Sequence, residues 1–224
     1  MYKEESMIKA VIFDFDGLIL DTETAWYDAY KEVLKEQFQF DLSLEEFVKC
    51  VGSNDTVLFA YLKQAIGNHI EPDDIRKRAR VLHTQTIKKA QACEGVAEYL
   101  ADARKAGLTI ALTTSSTLGW VTTHLTNLNL FTYFDHFITQ EDVERVKPAP
   151  DLFLKTIEVL KIKPFDAVVF EDSLNGLNAA LEAKLPTVII PNPVTASSPF
   201  ENYHLKLTSM ADTSLHDIIE SLNK

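Results

Sequence analysis

Residues 11–23 read Val11-Ile12-Phe13-Asp14-Phe15-Asp16-Gly17-Leu18-Ile19-Leu20-Asp21-Thr22-Glu23. The run begins apolar and stops at two carboxylates two positions apart. A short apolar run bounded by a glycine predicts a buried strand. In extended chain, residues i and i+2 share a side, so Asp14 and Asp16 leave the strand end as a pair. Gly17 supplies the positive-φ freedom to turn the backbone around whatever the pair holds. Unpaired carboxylates beside a core are costly, so this ending points to a bound cation or a reaction. A solvated strand end with one acid capping the next turn carries the same four letters, and the motif alone does not separate the two.

Beyond Thr22 the period changes. Trp26, Ala29, Tyr30, Val33 and Leu34 recur at helical spacing. Ser43 and Glu46 form a capping box ahead of Phe47, Val48 and Val51. Val57, Leu58, Tyr61, Leu62 and Ala65 make another apolar face, stopped at Gly67, and Pro72 opens a helix carrying Ile75, Ala79, Leu82 and Thr86. No strand pattern interrupts residues 24–90, a block of about four helices.

From Glu94-Gly95 onward helices and strands alternate. The strand patterns are Leu108–Thr113, Phe137–Thr139, Ala167–Phe170 and Thr187–Ile190, with helical faces between them and a closing helix through Leu215, Ile218, Ile219 and Leu222. Alternation of this kind predicts an α/β fold: a Rossmann-like parallel sheet covered on both faces. The helical block then interrupts it after the first strand. The expected division is a catalytic core of residues 1–22 and 92–224 with a helical cap of residues 23–91, hinged near 21–25 and 88–94. Asn192-Pro193 and Ser197-Ser198-Pro199 read as a surface loop.

The 224 residues fit one large domain or one domain with an insertion, and 46% apolar content suffices for a core. A formal charge of −11 argues against nucleic acid and anionic membrane surfaces as partners. Binding a phosphate ester would need a local cation. Cys50 and Cys93 lack CxxC spacing and read as free thiols of a reducing compartment. Residues 1–6 contain no apolar signal-peptide core. A cytoplasmic monomer is the expectation.

Ligands of parallel α/β sheets sit outside the carboxyl ends of the strands. Those ends supply Asp14 and Asp16, then Thr114-Ser115-Ser116, then Glu171-Asp172-Ser173; Lys147 precedes a helix in a loop stiffened by Pro148 and Pro150. Hydroxyls that cap a helix, an exposed lysine and acids at a helix start explain each alone. Four such coincidences in order at one sheet edge do not explain the set.

The blocks Asp14-Phe15-Asp16-Gly17, Thr113-Thr114-Ser115, Lys147-Pro148-Ala149-Pro150-Asp151 and Glu171-Asp172-Ser173-Leu174-Asn175-Gly176-Leu177-Asn178-Ala179-Ala180 together resemble the haloacid dehalogenase-like superfamily. The insertion after strand one is similar to its β-phosphoglucomutase-like branch. The resemblance implies phosphoryl transfer, because dehalogenases proper lack the second aspartate. Asp14 is the implied nucleophile and Asp16 the acid/base. Mg²⁺ is the implied cofactor, held by Asp14, the carbonyl of Asp16, Asp172 and, through water, Glu171. Lys147, Thr114 and backbone N–H groups near Ser115 are the implied phosphate ligands.

Trp26, Asn54 and Asp55 are candidates for substrate contact from the cap, against packing and helix capping as their ordinary jobs. Arg76, Lys77, Arg78 and Arg80 read as a solvated helix face, and His83 and His124 as structural or surface groups. The expectation is a Mg²⁺-dependent phosphatase for a small phosphorylated metabolite such as a sugar phosphate. A phosphosugar mutase is the alternative, disfavoured by Trp26 where the mutase pattern has histidine and by Gly52-Ser53-Asn54-Asp55 where it has an arginine to hold a second phosphate, although the Arg76–Arg80 cluster could substitute for it. A catalytically silent binding module would have no need of both Asp14 and Asp16.

Overall fold

In the computed structural model residues 8–223 are described; the reading of residues 1–6 lies outside them. Six strands form one sheet in the order β3-β2-β1-β4-β5-β6. They are β1 (Ala10–Phe13), β2 (Thr109–Thr113), β3 (His136–Ile138), β4 (Ala167–Glu171), β5 (Thr187–Ile189) and β6 (Leu205–Lys206). Every pairing is parallel. The alternating pattern therefore reports the α/β architecture correctly, and β1 lies inside the sheet because every residue of its apolar run is buried.

Helices cover both faces, as a wholly parallel sheet requires. One layer buries Val11, Phe13, Val168 and Phe170 against Tyr99, Leu100, Val121 and Leu125. These helical residues belong to α5 (Val96–Lys105) and α6 (Leu118–Asn127). The other buries Ile12, Ala111 and Val169 against Phe153, Ala179 and Ala180 of α7 (Asp151–Leu160) and α8 (Leu174–Glu182). Phe13 stacks on Phe170 at 4.9 Å and meets Phe134 edge-on at 6.3 Å, anchoring the strand that carries the first aspartate. The last helix, α9 (Leu215–Leu222), packs against α5.

Between β1 and α5 run α1 (Thr22–Phe38), α2 (Leu44–Phe47), α3 (Thr56–Ala65) and α4 (Pro72–Ile87). Asp21 caps α1 by accepting the Thr24 N–H at 3.0 Å, and Pro72 opens α4 as expected. These helices bury a cluster of their own, including Ala29, Val33, Leu34, Leu58, Leu62, Ile75 and Ala79. The apolar faces are phased differently from expectation at three positions. Val57 and Ala65 are exposed, because α3 buries Leu58, Phe59 and Leu62; Thr86 is exposed, because α4 turns Ile75, Ala79, His83 and Ile87 inward at four-residue steps. Two-residue β6 had too little pattern to be read. Among the described residues no helix is long and apolar enough to cross a membrane.

Candidate active site

Register brings the predicted residues together. Phe13 pairs with Phe170 and with Leu112, so the residues just beyond β1, β2 and β4 emerge side by side. The Asp14 N–H donates to the Phe170 carbonyl at 3.1 Å, fixing the nucleophile candidate beside Glu171. Lys147 arrives from the loop before α7, and its Nζ lies 2.6 Å from Asp14 Oδ1, 2.6 Å from Glu171 Oε1 and 2.9 Å from the Thr113 carbonyl. It is 1% exposed, far from the ordinary surface lysine.

Asp14, Glu171 and Asp172 each offer a carboxylate oxygen within 4.8 Å of the others, and all three are buried. Asn192 Nδ2 donates to Asp172 Oδ2 at 2.7 Å, whereas Asp172 Oδ1 is buried without a hydrogen-bond partner among the described residues. Two glycines make this crowding feasible. A Cβ on Gly17, whose φ is +83°, would fall on the Asp172 carboxylate, and one on Gly176 would fall on that of Glu171.

Three buried acids face one ammonium, and the electrostatics follow. Burial pushes the Asp14 carboxyl up to about 8; Glu171 adds to the push and Lys147 opposes it. Burial, reinforced by Glu171 and Asp14, holds Asp172 well above the usual carboxylate range. Burial alone would lower Lys147, but Asp14 and Glu171 outweigh it and keep the amine charged. The cluster thus lacks positive charge and has an orphaned carboxylate oxygen. An all-oxygen donor set of this kind fits a hard divalent cation such as Mg²⁺.

Asp16 stands apart from that cluster. Its Oδ1 accepts from the Thr22 hydroxyl at 2.9 Å and the Trp120 indole at 3.0 Å, and its Oδ2 from the Ser116 hydroxyl at 2.6 Å. It lines a cavity of about 630 Å³ between the sheet edge and the inserted helices, together with Asp14, Thr114 and Ser115. The Thr114 hydroxyl accepts the Ser116 N–H at 3.0 Å, which leaves its proton to donate. Ser115 Oγ donates to the Gly52 carbonyl at 3.1 Å, so its side chain ties down the inserted helices while its backbone N–H remains the phosphate candidate.

Across the cavity, Trp26 lines the space and packs by stacking on His83 at 3.9 Å. Asn54 also lines it, though its Oδ1 accepts the Thr56 N–H at 3.0 Å, a capping contact. Both Asp55 oxygens are held by Arg76, at 2.8 and 3.0 Å, and the Tyr30 hydroxyl adds a third bond at 3.2 Å. Arg76 is therefore an anchored, half-buried group and not part of a solvated face. His83, read as structural or surface, is fully buried at the cavity wall, and neither ring nitrogen has a hydrogen-bond partner among the described residues. Burial lowers it to about 4; the Thr22 backbone lies near enough to oppose this but not in bonding geometry.

Sequence reasoning missed Asn192, Ser116 as a partner of Asp16, Trp120 and Glu23. Asn192 follows β5 on the same edge, so completing the survey of strand ends would have found it. Glu23 lines the cavity, and burial together with Asp16 and Asp14 holds its carboxyl well above its usual range. Nothing in the local pattern at Trp120 distinguishes it from a packing residue.

The family pattern described as "Haloacid dehalogenase-like hydrolase" matches residues 11–190. A Bacillus subtilis (strain 168) protein named "Putative phosphatase YhcW" is 39% identical over 97% of this chain and 99% of its own length. "Hexitol phosphatase B" of Escherichia coli (strain K12) is 27% identical over 95% of this chain and 97% of its own. The crystal structure of a HAD family hydrolase from Deinococcus radiodurans R1 with bound phosphate and sodium aligns with a TM-score of 0.77 and 26% identity, covering 97% of this chain and 98% of that one. With the family pattern running from the first strand through the fifth, over the same residues that build the acidic edge, the chain belongs to the haloacid dehalogenase-like hydrolase family.

Proposed function

We propose that this haloacid dehalogenase-like phosphatase hydrolyses a small phosphorylated carbohydrate with Mg²⁺, through an aspartyl-phosphate on Asp14. The observation that carries the reading is the buried group of Asp14, Glu171, Asp172 and Lys147, short of positive charge and with Asp172 Oδ1 unpartnered among the described residues, of which Asp14 lines the cavity. When bound by Asp14, the Asp16 carbonyl, Asp172 and, through water, Glu171, Mg²⁺ screens the repulsion between the Asp14 carboxylate and a phosphate dianion.

Each remaining step belongs to the chain. Lys147 and Thr114 bind phosphoryl oxygens, helped by backbone N–H groups near Ser115. An Asp14 oxygen bonds to phosphorus as the ester P–O bond breaks, and Asp16 gives its proton to the departing alkoxide. Asp16 then takes a proton from water as that water attacks phosphorus, and the bond to Asp14 breaks to release inorganic phosphate. The cavity has the volume of a small-ligand site. Trp26 and Asn54 on the far wall, and Glu23 nearer the acids, are the substrate contacts we assign. The relative named Hexitol phosphatase B supports the substrate class.

One contact favours hydrolysis over mutase chemistry: Arg76, one of the two arginines that line the cavity beside Arg80, is held by Asp55 rather than left to bind a second phosphate. The inserted helices, residues 23–91, are the cap in this reading. Phosphate release from a panel of sugar and polyol phosphates tests it. Release is expected to need Mg²⁺, to stop with EDTA, and to fall by a factor on the order of 10³ or more in Asp14→Asn. Equal rates for wild type and variant would overturn the assignment.

A further inference from the structure

Three donors converge on the carboxylate of Asp16, and their distribution is uneven. An ionised carboxylate has about four lone-pair sites, two on each oxygen. Both sites of Oδ1 are taken, by Thr22 Oγ1 at 2.9 Å and Trp120 Nε1 at 3.0 Å. Among the described residues Oδ2 holds only Ser116 Oγ, at 2.6 Å, and keeps one site. Asp16, Ser116 and Trp120 all line the cavity.

Trp120 is itself held from both sides. Its ring lies 4.1 Å from that of His124 one turn later on α6 and 5.6 Å from that of His83 on α4, which in turn stacks on Trp26 at 3.9 Å. Thr22, the other donor to Oδ1, is fully buried at the start of α1. The indole N–H therefore comes from a ring with little freedom to turn, on an element separate from the one that carries Asp16.

We propose that Trp120 is a positioning residue for the acid/base: by closing Oδ1 together with Thr22, it leaves Oδ2 as the one oxygen that exchanges a proton with the leaving group and with water. This rests on the phosphatase reading. The proton carried on Oδ2 passes to the ester oxygen as the P–O bond breaks, and Oδ2 takes one back from the attacking water. Without the indole N–H, Oδ1 regains a lone-pair site, the proton divides between two oxygens, and one of them does not face the bond being broken.

The test compares two esters that differ in their need for a proton. An alkyl phosphate has a poor leaving group and depends on general acid catalysis, whereas p-nitrophenyl phosphate expels a stable phenolate. In Trp120→Phe, kcat/KM for the best alkyl phosphate of the panel, which reports leaving-group departure and not the later hydrolysis common to both esters, is expected to fall on the order of thirtyfold, a part of the roughly 10²–10⁴-fold that general acid catalysis supplies. For p-nitrophenyl phosphate the loss is expected to stay below about threefold, since its leaving group needs no proton. An isosteric 3-benzothienylalanine in place of Trp120, which keeps the double ring and lacks the N–H, is expected to reproduce the split and to retain the wild-type thermal midpoint. Equal losses on the two esters, no loss on either, or wild-type rates with the isostere would each overturn the proposal. Failure of the phosphatase reading looks different, as Asp14→Asn matching wild type on both esters.

Discussion

Each of the buried groups at the sheet edge has its charge state set by burial and by its neighbours. Lys147 is charged because two carboxylates lie 2.6 Å away, and the Asp172 anion is destabilised by burial and by Glu171 and Asp14 beside it. His83 is the opposite case: burial, with His124 and Arg80 adding to it, lowers it from 6.5 to about 4. The unfolded chain takes up that proton before the folded one does, so between those values the unfolded state binds more protons and stability falls as pH drops. Above 6.5 the contribution is fully present. The loss reaches on the order of 2 kcal/mol by about pH 5. Urea unfolding of wild type and His83→Phe at neutral pH and near that value measures it; the variant is expected to lose less stability on acidification, and identical pH slopes would refute the assignment. The motif residues themselves were legible because their chemistry is local to strand ends. The state of His83 was not, since a histidine at helical spacing carries no sign of what packs over it.

Secondary elements here serve mainly to deliver atoms to one edge. Helix α8 starts at Ser173, which accepts the Gly176 N–H at 3.0 Å while its own N–H and hydroxyl turn to Glu171 Oε2 at 3.3 and 3.2 Å. Gly176 sits in the first turn because no side chain fits between the helix and Glu171. Intrinsic propensity favours alanine over glycine in a helix by about 1 kcal/mol. At this position the sign reverses, since the new Cβ would coincide with the Glu171 carboxylate. Gly176→Ala is expected to destabilise by roughly 1–3 kcal/mol, the usual range for overpacking, with a lowered thermal midpoint and weaker Mg²⁺ binding. A higher midpoint would mean Glu171 moves aside freely. Element type was readable from period in nearly every case, because strands and helices bury faces at different spacings. Phase was less secure: Val57, Ala65 and Thr86 do not occupy the faces their spacing predicts, since a run of mixed residues supports two rotations about the helix axis and only the opposing surface chooses.

For the whole molecule, the decisive contact is where the inserted helices meet the sheet edge. The Asn175 side chain of α8 donates to the Val51 carbonyl at 2.8 Å and, at 3.4 Å, to that of Lys49; Ser115 Oγ donates to Gly52 at 3.1 Å. A Cβ on Gly52 would strike Ser173 Oγ, so this loop approaches the core as closely as backbone can. Asn175→Ala removes the stronger latch without touching the acidic cluster. At about 1 kcal/mol for a hydrogen bond, KM is expected to rise about fivefold. Steady-state kinetics on the preferred ester, with the thermal midpoint as a control for folding, read this out; an unchanged KM would place the closure energy in other contacts. The chain by itself determined the strand–helix alternation, the acidic strand end and the order of its four motifs, because these depend on neighbours in sequence and on burial periodicity. Only the tertiary structure decided that Lys147 lies between Asp14 and Glu171, that Arg76 is bound to Asp55, and that Trp120 donates to Asp16. Those pairs are 133, 21 and 104 residues apart, and no local preference encodes which distant partner will satisfy a buried charge or donor.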